Sequence, residues 1–225
     1  MSLKTLWAAP PAGSIPTKKD FTKKEWAIIQ SHRTPEAVQE YLRSIPYNRE
    51  SEGETCYSFR RMLRENRAHC LEGALAAAVI LEQHGYPPVV VSIESQDKLD
   101  HVLLLFKNSG RIGSVARSRD IALHGRKPVF RSARDLVLNY FDPYVDKTGR
   151  ITGYGVASLY ELGSYDWRFS MQNVWKVERY LQEIPHCRIS SSEERYRKLR
   201  RRYLAFHEKH PDRSPDYYPS RPLWL

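Results

Sequence analysis

Residues 68–85 read AHCLEGALAAAVILEQHG, and the fold turns on this stretch. Every position from Ala74 to Leu81 is apolar, so the helix expected over Cys70–Gln83 has no face suited to water and belongs in the interior. Gly85 ends it as a C-cap, and Pro87-Pro88 forbid its continuation. Val89–Ile93 then reads as a strand rich in β-branched residues. After the polar link Glu94–Leu99, His101–Phe106 (HVLLLF) is a second strand, apolar on both faces. Asn108-Ser109-Gly110 signals a hairpin, with Ile112–Ala116 as the returning strand. A buried helix followed by an antiparallel hairpin puts the chain in the α+β class.

Working outward, a helix is expected over Lys23–Ser31. Another follows Thr34-Pro35-Glu36, which supplies an N-cap, a proline at the first helical position and an acid in the first turn. It runs to about Ser44 and stops before Pro46. Tyr47–Thr55 is polar and loop-like, and Tyr57–Glu65 is a short helix. From Pro128 onward the pattern turns helical again, with a tyrosine-rich loop at Phe141–Tyr154 forming a rim or lid. Ser192–Lys209 reads as a basic helix with Tyr196, Leu199, Tyr203 and Phe206 on one stripe. The expected organisation is an irregular leader over 1–19, a main domain over 20–190, and a basic helix with a Pro/Tyr-rich tail over 191–225.

Composition narrows the classes. Thirty-six Lys+Arg against 26 Asp+Glu give a net charge of +10 and a pI near 9.5. Such charge favours anions in general but carries no specificity. The basic C-terminal helix is the one feature pointing toward nucleic acid; without a helix-turn-helix, RNP or zinc-finger pattern, specific nucleic-acid binding is not expected. Three cysteines, with no CxxC and no zinc spacing, argue against a disulfide framework and a structural zinc site. His69 beside Cys70 does not alter that, because no second ligand pair accompanies it. Asp142 and Asp146 lack the alternating oxygens of a calcium loop. No cofactor is implied. Prolines interrupt the N-terminal residues within ten positions, so no secretory h-region is read, and no run approaches a membrane span. The expectation is a soluble, cytoplasmic protein in which free thiols survive; oligomeric state is not readable.

Chemistry centres on Cys70. It falls in the first turn of its helix, where unpaired N–H groups and the helix dipole favour a thiolate. Gly73, costly in a helix interior, indicates that something packs closely against that turn. A thiolate nucleophile needs an imidazole, and His101 opens the strand HVLLLF. If the hairpin loop is Ser109-Gly110, Asn108 pairs with Arg111, His101 falls opposite Ser118, and Asp120 lies diagonal on the same face. Asp120 or Ser118 is therefore expected to orient the imidazole, a role a register slip would abolish. The bland alternatives are a cysteine packed as a small hydrophobe and a histidine at a strand mouth. Cys56 reads as core packing and Cys187 as a surface thiol.

The blocks RAHCLEGALAAAVILEQHGYPPVVVSI (67–93), DHVLLLF (100–106) and GRIGSVARS (110–118) resemble the core of the transglutaminase-like superfamily. SIPYN (44–48) and RKPVFRSARDLV (126–137) extend the likeness to uncharacterised bacterial members, over about Ser44 to Tyr154. The resemblance implies a papain-like core in which the cysteine helix packs on an antiparallel sheet, with Cys70 as nucleophile and His101 as general base. Where the family shows a tryptophan-led strand ending in aspartate, this chain has Ile112 and Ser118-Arg119-Asp120. Two functions follow: a thiol enzyme performing acyl transfer or amide hydrolysis on a peptide or protein amide, or a catalytically degenerate binding module acting through its basic helix.

Overall fold

A computed structural model describes residues 6–8, 10, 11 and 13–225, so part of the leader expected over 1–19 lies outside the described residues. Among these residues are seven α-helices and a six-stranded sheet, an α+β arrangement. The helices are α1 (Lys23–Ser31), α2 (Pro35–Ser44), α3 (Phe59–Glu65), α4 (Cys70–Glu82), α5 (Ala133–Tyr144), α6 (Trp175–Glu183) and α7 (Glu193–Lys209). The strands are β1 (Val89–Ser95), β2 (His101–Asn108), β3 (Arg111–Val115), β4 (Arg126–Phe130), β5 (Ile151–Ser158) and β6 (Cys187–Arg188). They lie in the order β4-β3-β2-β1-β5-β6, every neighbouring pair antiparallel.

The all-apolar stretch sits where its composition requires. Every residue of α4 from Leu71 to Glu82 is buried. Its side chains join α1–α3 and the Val90, Val102, Leu104 and Phe106 face of the sheet in one core. Val89, Val91, Ile93, Leu103 and Leu105 face the other way, against α5 and Tyr196 of α7. Strands covered on both sides carry no polar alternation, which is why HVLLLF is apolar throughout. Glu82 is the price of ending α4 in the interior, and Arg168 meets its two oxygens at 2.6 and 2.9 Å.

The hairpin register agrees with the expectation from Asn108↔Arg111 through Leu104↔Val115. Several other boundaries differ. The short helix begins at Phe59, not Tyr57, because Ser58 caps it by accepting from Arg61 N at 3.1 Å. Residues 126–130 form an edge strand before the helical part begins, and an edge tolerates Pro128. The segment read as the loop Phe141–Tyr154 is a loop only over Val145–Arg150, its first residues ending α5 and its last beginning β5. The sequence ITGYGVAS conceals this strand because two glycines weaken it. Gly155 answers tertiary crowding, since a Cβ there would meet Ile184 Cδ1 at 2.8 Å and His186 Nε2 at 2.9 Å, whereas one at Gly153 would meet the movable carboxylate of Glu94 at 2.3 Å.

The C-terminal segment is packed on the body. Tyr196 is buried, Leu199 touches the same cluster, and most of the α7 arginines face water. Beyond α7, Tyr218 is buried, Trp224 bridges Arg126, and Leu225 N donates to Gly125 O at 3.0 Å. Deleting residues 192–225 should remove at least ~3 kcal/mol of apolar burial. For a chain of this size that lowers the melting temperature by roughly 6–12 °C. Thermal unfolding followed by circular dichroism checks this; an unchanged midpoint would show that the packing contributes nothing.

Candidate active site

Cys70 is the first residue of α4, and the backbone just before it is fixed by a distant loop. Ala68 N donates to Pro46 O and Asn48 N to Ala68 O, both at 3.1 Å, so the chain ahead of the cysteine runs beside Tyr47. His69 is the N-cap, in extended conformation (φ −90°, ψ −170°). Glu72, at the third helical position, closes a capping box by accepting from His69 N at 2.9 Å. Its carboxyl group is wholly buried and also accepts from Thr55 Oγ1 at 2.8 Å, Tyr57 N at 3.0 Å and Asn48 Nδ2 at 3.1 Å. Buried carboxylates persist only when so satisfied. One acid therefore folds the Tyr47–Tyr57 loop onto the mouth of the cysteine helix.

His101 opens β2 opposite Ile93 and is 4% exposed. Its Nε2 lies 3.0 Å from Leu123 O. A carbonyl only accepts, so in the neutral ring Nε2 carries the proton and Nδ1 is the nitrogen left with a lone pair. Tyr140 and Tyr144 flank the ring, with centroids 6.4 and 6.5 Å away. The Cys70 sulfur lies 3.7 Å from the carbonyl of Asp100, the residue just before His101.

The expected orienting residues are not in that role. Asp120 accepts from Ser214 Oγ at 2.7 Å, and Ser118 Oγ accepts from Asp120 N at 3.3 Å; a backbone carbonyl holds the imidazole instead. The reason is Gln39, fully buried on α2. Its amide donates to Ala116 O at 2.9 Å while its oxygen accepts from Ala116 N and Gly125 N, each at 2.9 Å. Having met the needs of Ala116, Gln39 ends the β3 ladder at Val115, and the chain departs before Ser118 can face His101. It returns through a 3₁₀ turn, Ile121–Leu123, which delivers the Leu123 carbonyl. Ser118 and Asp120 still line the same cleft.

Sequence reasoning passed over His69. Its Nε2 lies 3.0 Å from Thr55 O and 3.4 Å from Glu72 Oε1, and its Nδ1 lies 3.3 Å from Leu71 N. The signal available in the sequence was Glu72 three residues after a potential cap. Burial opposes charge on His69, but the bond to Cys70, the thiolate charge, Glu72 and the Thr55 carbonyl outweigh it and push its pKa up to about 9. Burial likewise pushes the Cys70 thiol up. Bonds from His101 and then His69, with their charges, reverse that and hold it well below the usual thiol range. Cys56, enclosed in the core, is pushed strongly upward by burial and by nearby Glu178 and Glu72. Cys187 is exposed on β6.

The thiol opens onto a cleft of about 490 Å³. Tyr47, Thr55 and Trp175 wall one part of it, and Leu99, Tyr144 and Asp146 contribute from the segments beside β2 and α5. The Tyr144–Gly149 stretch thus forms part of the rim. Among the described residues no three His, Cys, Asp or Glu side chains are grouped to hold a metal ion, and no helix is long and apolar enough to cross a membrane. A partly exposed sulfur at a helix N-terminus, in a cleft that two imidazoles also line, is an arrangement equipped for nucleophilic attack. The chain matches no protein-family model and no curated protein, so the cleft itself carries the functional reading.

Proposed function

We propose that this protein is a thiol enzyme acting on amide or ester carbonyls through Cys70 and His101, with a transglutaminase-like, papain-like core formed by α4 on the antiparallel sheet. The observation that carries the reading is the Cys70 sulfur at the α4 N-terminus in an open cleft that His101 also lines, with the His101 Nε2 fixed by Leu123 O and the thiol held low by the two neighbouring imidazoles. His101 takes the thiol proton. The thiolate attacks the carbonyl carbon, forming a C–S bond while the carbonyl oxygen takes the negative charge. The Cys70 N–H at the helix start is placed to donate to that oxygen. Collapse breaks the bond to the leaving group, which takes the proton from His101. The acceptor, water or an amine, then gives a proton to His101 and attacks the thioester, releasing Cys70. A peptide or protein amide is the proposed substrate.

The first test uses an activated nitrophenyl ester. The wild-type protein should release nitrophenol with an acetyl adduct on Cys70 visible by peptide mass spectrometry, and Cys70→Ala should show neither. His101→Ala should lose about 10²-fold or more in turnover, the usual contribution of a positioned proton carrier. With iodoacetamide at about pH 6, Cys70 should react at least about tenfold faster than Cys56, whose thiol is held protonated. Turnover equal to that of Cys70→Ala, with no adduct, would overturn the enzymatic reading in favour of a binding module.

A further inference from the structure

Two imidazoles, His69 and His101, line the cleft with Cys70, and the mechanism above uses only one. The second, His69, is held far more tightly than a helix cap needs. Its Nε2 faces Thr55 O at 3.0 Å, Glu72 Oε1 at 3.4 Å and Glu50 Oε1 at 3.8 Å. All three are acceptors, so a proton belongs on Nε2 in every state of the ring. Nδ1 is then the position that changes. In the neutral ring it accepts from Leu71 N at 3.3 Å, a long bond. In the charged ring it carries a proton and cannot accept, and the neighbouring residue that shares its cleft is Cys70. Glu178 of α6 lines the same cleft, its carboxyl pushed upward by burial. The signs therefore alternate from the Glu72 carboxylate to the His69 imidazolium to the Cys70 thiolate.

We propose that His69, backed by the buried Glu72 carboxylate and the Thr55 carbonyl, is the standing counter-ion of the Cys70 thiolate, donating its Nδ1–H to the sulfur and leaving His101 as the group that moves protons. The inference rests on the reading of Cys70 as the nucleophile. His69 keeps its proton through the cycle, because its Nε2 side faces only acceptors and its charge matches that of Glu72. It is a positioning residue: it holds the sulfur ionised and directed into the cleft, and it exchanges no proton with substrate. The division of labour explains how a site whose base is oriented by a backbone carbonyl, without a carboxylate, still sustains a thiolate.

The test is the pH–rate profile for iodoacetamide alkylation of Cys70 in the full-length protein. His69→Asn is the informative variant, because asparagine is a good N-cap and preserves an acceptor for Leu71 N while removing the charge. The alkylation rate of this variant at about pH 6 should fall about tenfold or more, one unit of thiol pKa being a factor of ten in thiolate. His101→Ala should keep part of the low-pH rate, and the double variant should behave as an ordinary thiol. A second measurement guards against misfolding. The folded-state value of His69, about 9, is raised above its ordinary 6.5. The melting-temperature advantage of wild type over His69→Asn should thus be complete below pH ~6.5 and disappear as pH rises through ~9. Superimposable profiles for wild type and His69→Asn would reduce His69 to a cap and overturn the inference, while ester turnover through Cys70 would leave the proposed function standing. A shifted profile without turnover would do the reverse.

Discussion

Replacing Glu72 by leucine should sharply lower the stability of the fold. The substitution strands His69 N and Tyr57 N against an apolar side chain, while Asn48 Nδ2 keeps Thr55 Oγ1 at 2.7 Å and Thr55 Oγ1 keeps a long bond to Glu50 at 3.5 Å. A buried donor without a partner costs ~1–3 kcal/mol, so the two cost ~2–6 kcal/mol. That is a large part of the margin of an ordinary domain, which is ~5–15 kcal/mol in all. Glu72→Gln keeps the shape and one acceptor oxygen and should lose less, although its NH₂ group faces other donors. Urea denaturation followed by tryptophan fluorescence separates the two: leucine should abolish or sharply shift the transition, and glutamine should move it part of the way. A leucine variant with a wild-type midpoint would mean that water or loop rearrangement satisfies these donors, and that Glu72 is not what holds the Tyr47–Tyr57 loop at the cysteine helix.

Gly73→Ala should be worse for catalysis than for stability. In an isolated helix the change would gain ~1 kcal/mol, because glycine is a poor helix former. Here the added Cβ would sit 2.6 Å from Arg117 Cβ, an atom next to the backbone that cannot swing aside. Overpacking of this kind costs ~1–3 kcal/mol, so the sign reverses and the net effect is a modest loss. The functional consequence is larger because of where Arg117 lies. Its Nε donates to Ile45 O at 3.1 Å, and the chain from Ala116 onward leads to Leu123, whose carbonyl orients His101. Displacing that segment by about 1 Å should lower ester turnover about 10²-fold. A small fall in melting temperature with a large fall in turnover is the expected pairing. An alanine variant as active as wild type would show that the loop absorbs the clash without moving Leu123.

The central helix, the two strands after it and the hairpin register were all readable from the chain because their causes are local. Eight consecutive apolar positions, a Gly-Tyr-Pro-Pro stop and an Asn-Ser-Gly turn act within a few residues of themselves. Gly73 announced a close neighbour, and Arg117 is that neighbour. β5 was missed for the complementary reason: its Gly155 accommodates Ile184 and His186, from another part of the chain, at the expense of strand propensity.

The site divides along the same line. Amino-acid order alone put a thiol at the start of a buried helix and an imidazole at the head of a strand, since helix phase and strand alternation are properties of neighbouring residues. It could not choose what orients that imidazole. The choice lies with Gln39, which grips Ala116 from 77 positions away, ends the ladder before Ser118 and leaves Leu123 O where a side chain was expected. Nor could it lift His69 from bystander to partner, because that depends on Thr55 and Glu50 folding back over the helix start. Hydrogen bonds that close long loops are decided by the whole packed structure, and in this protein they settle the surroundings of the Cys70 sulfur.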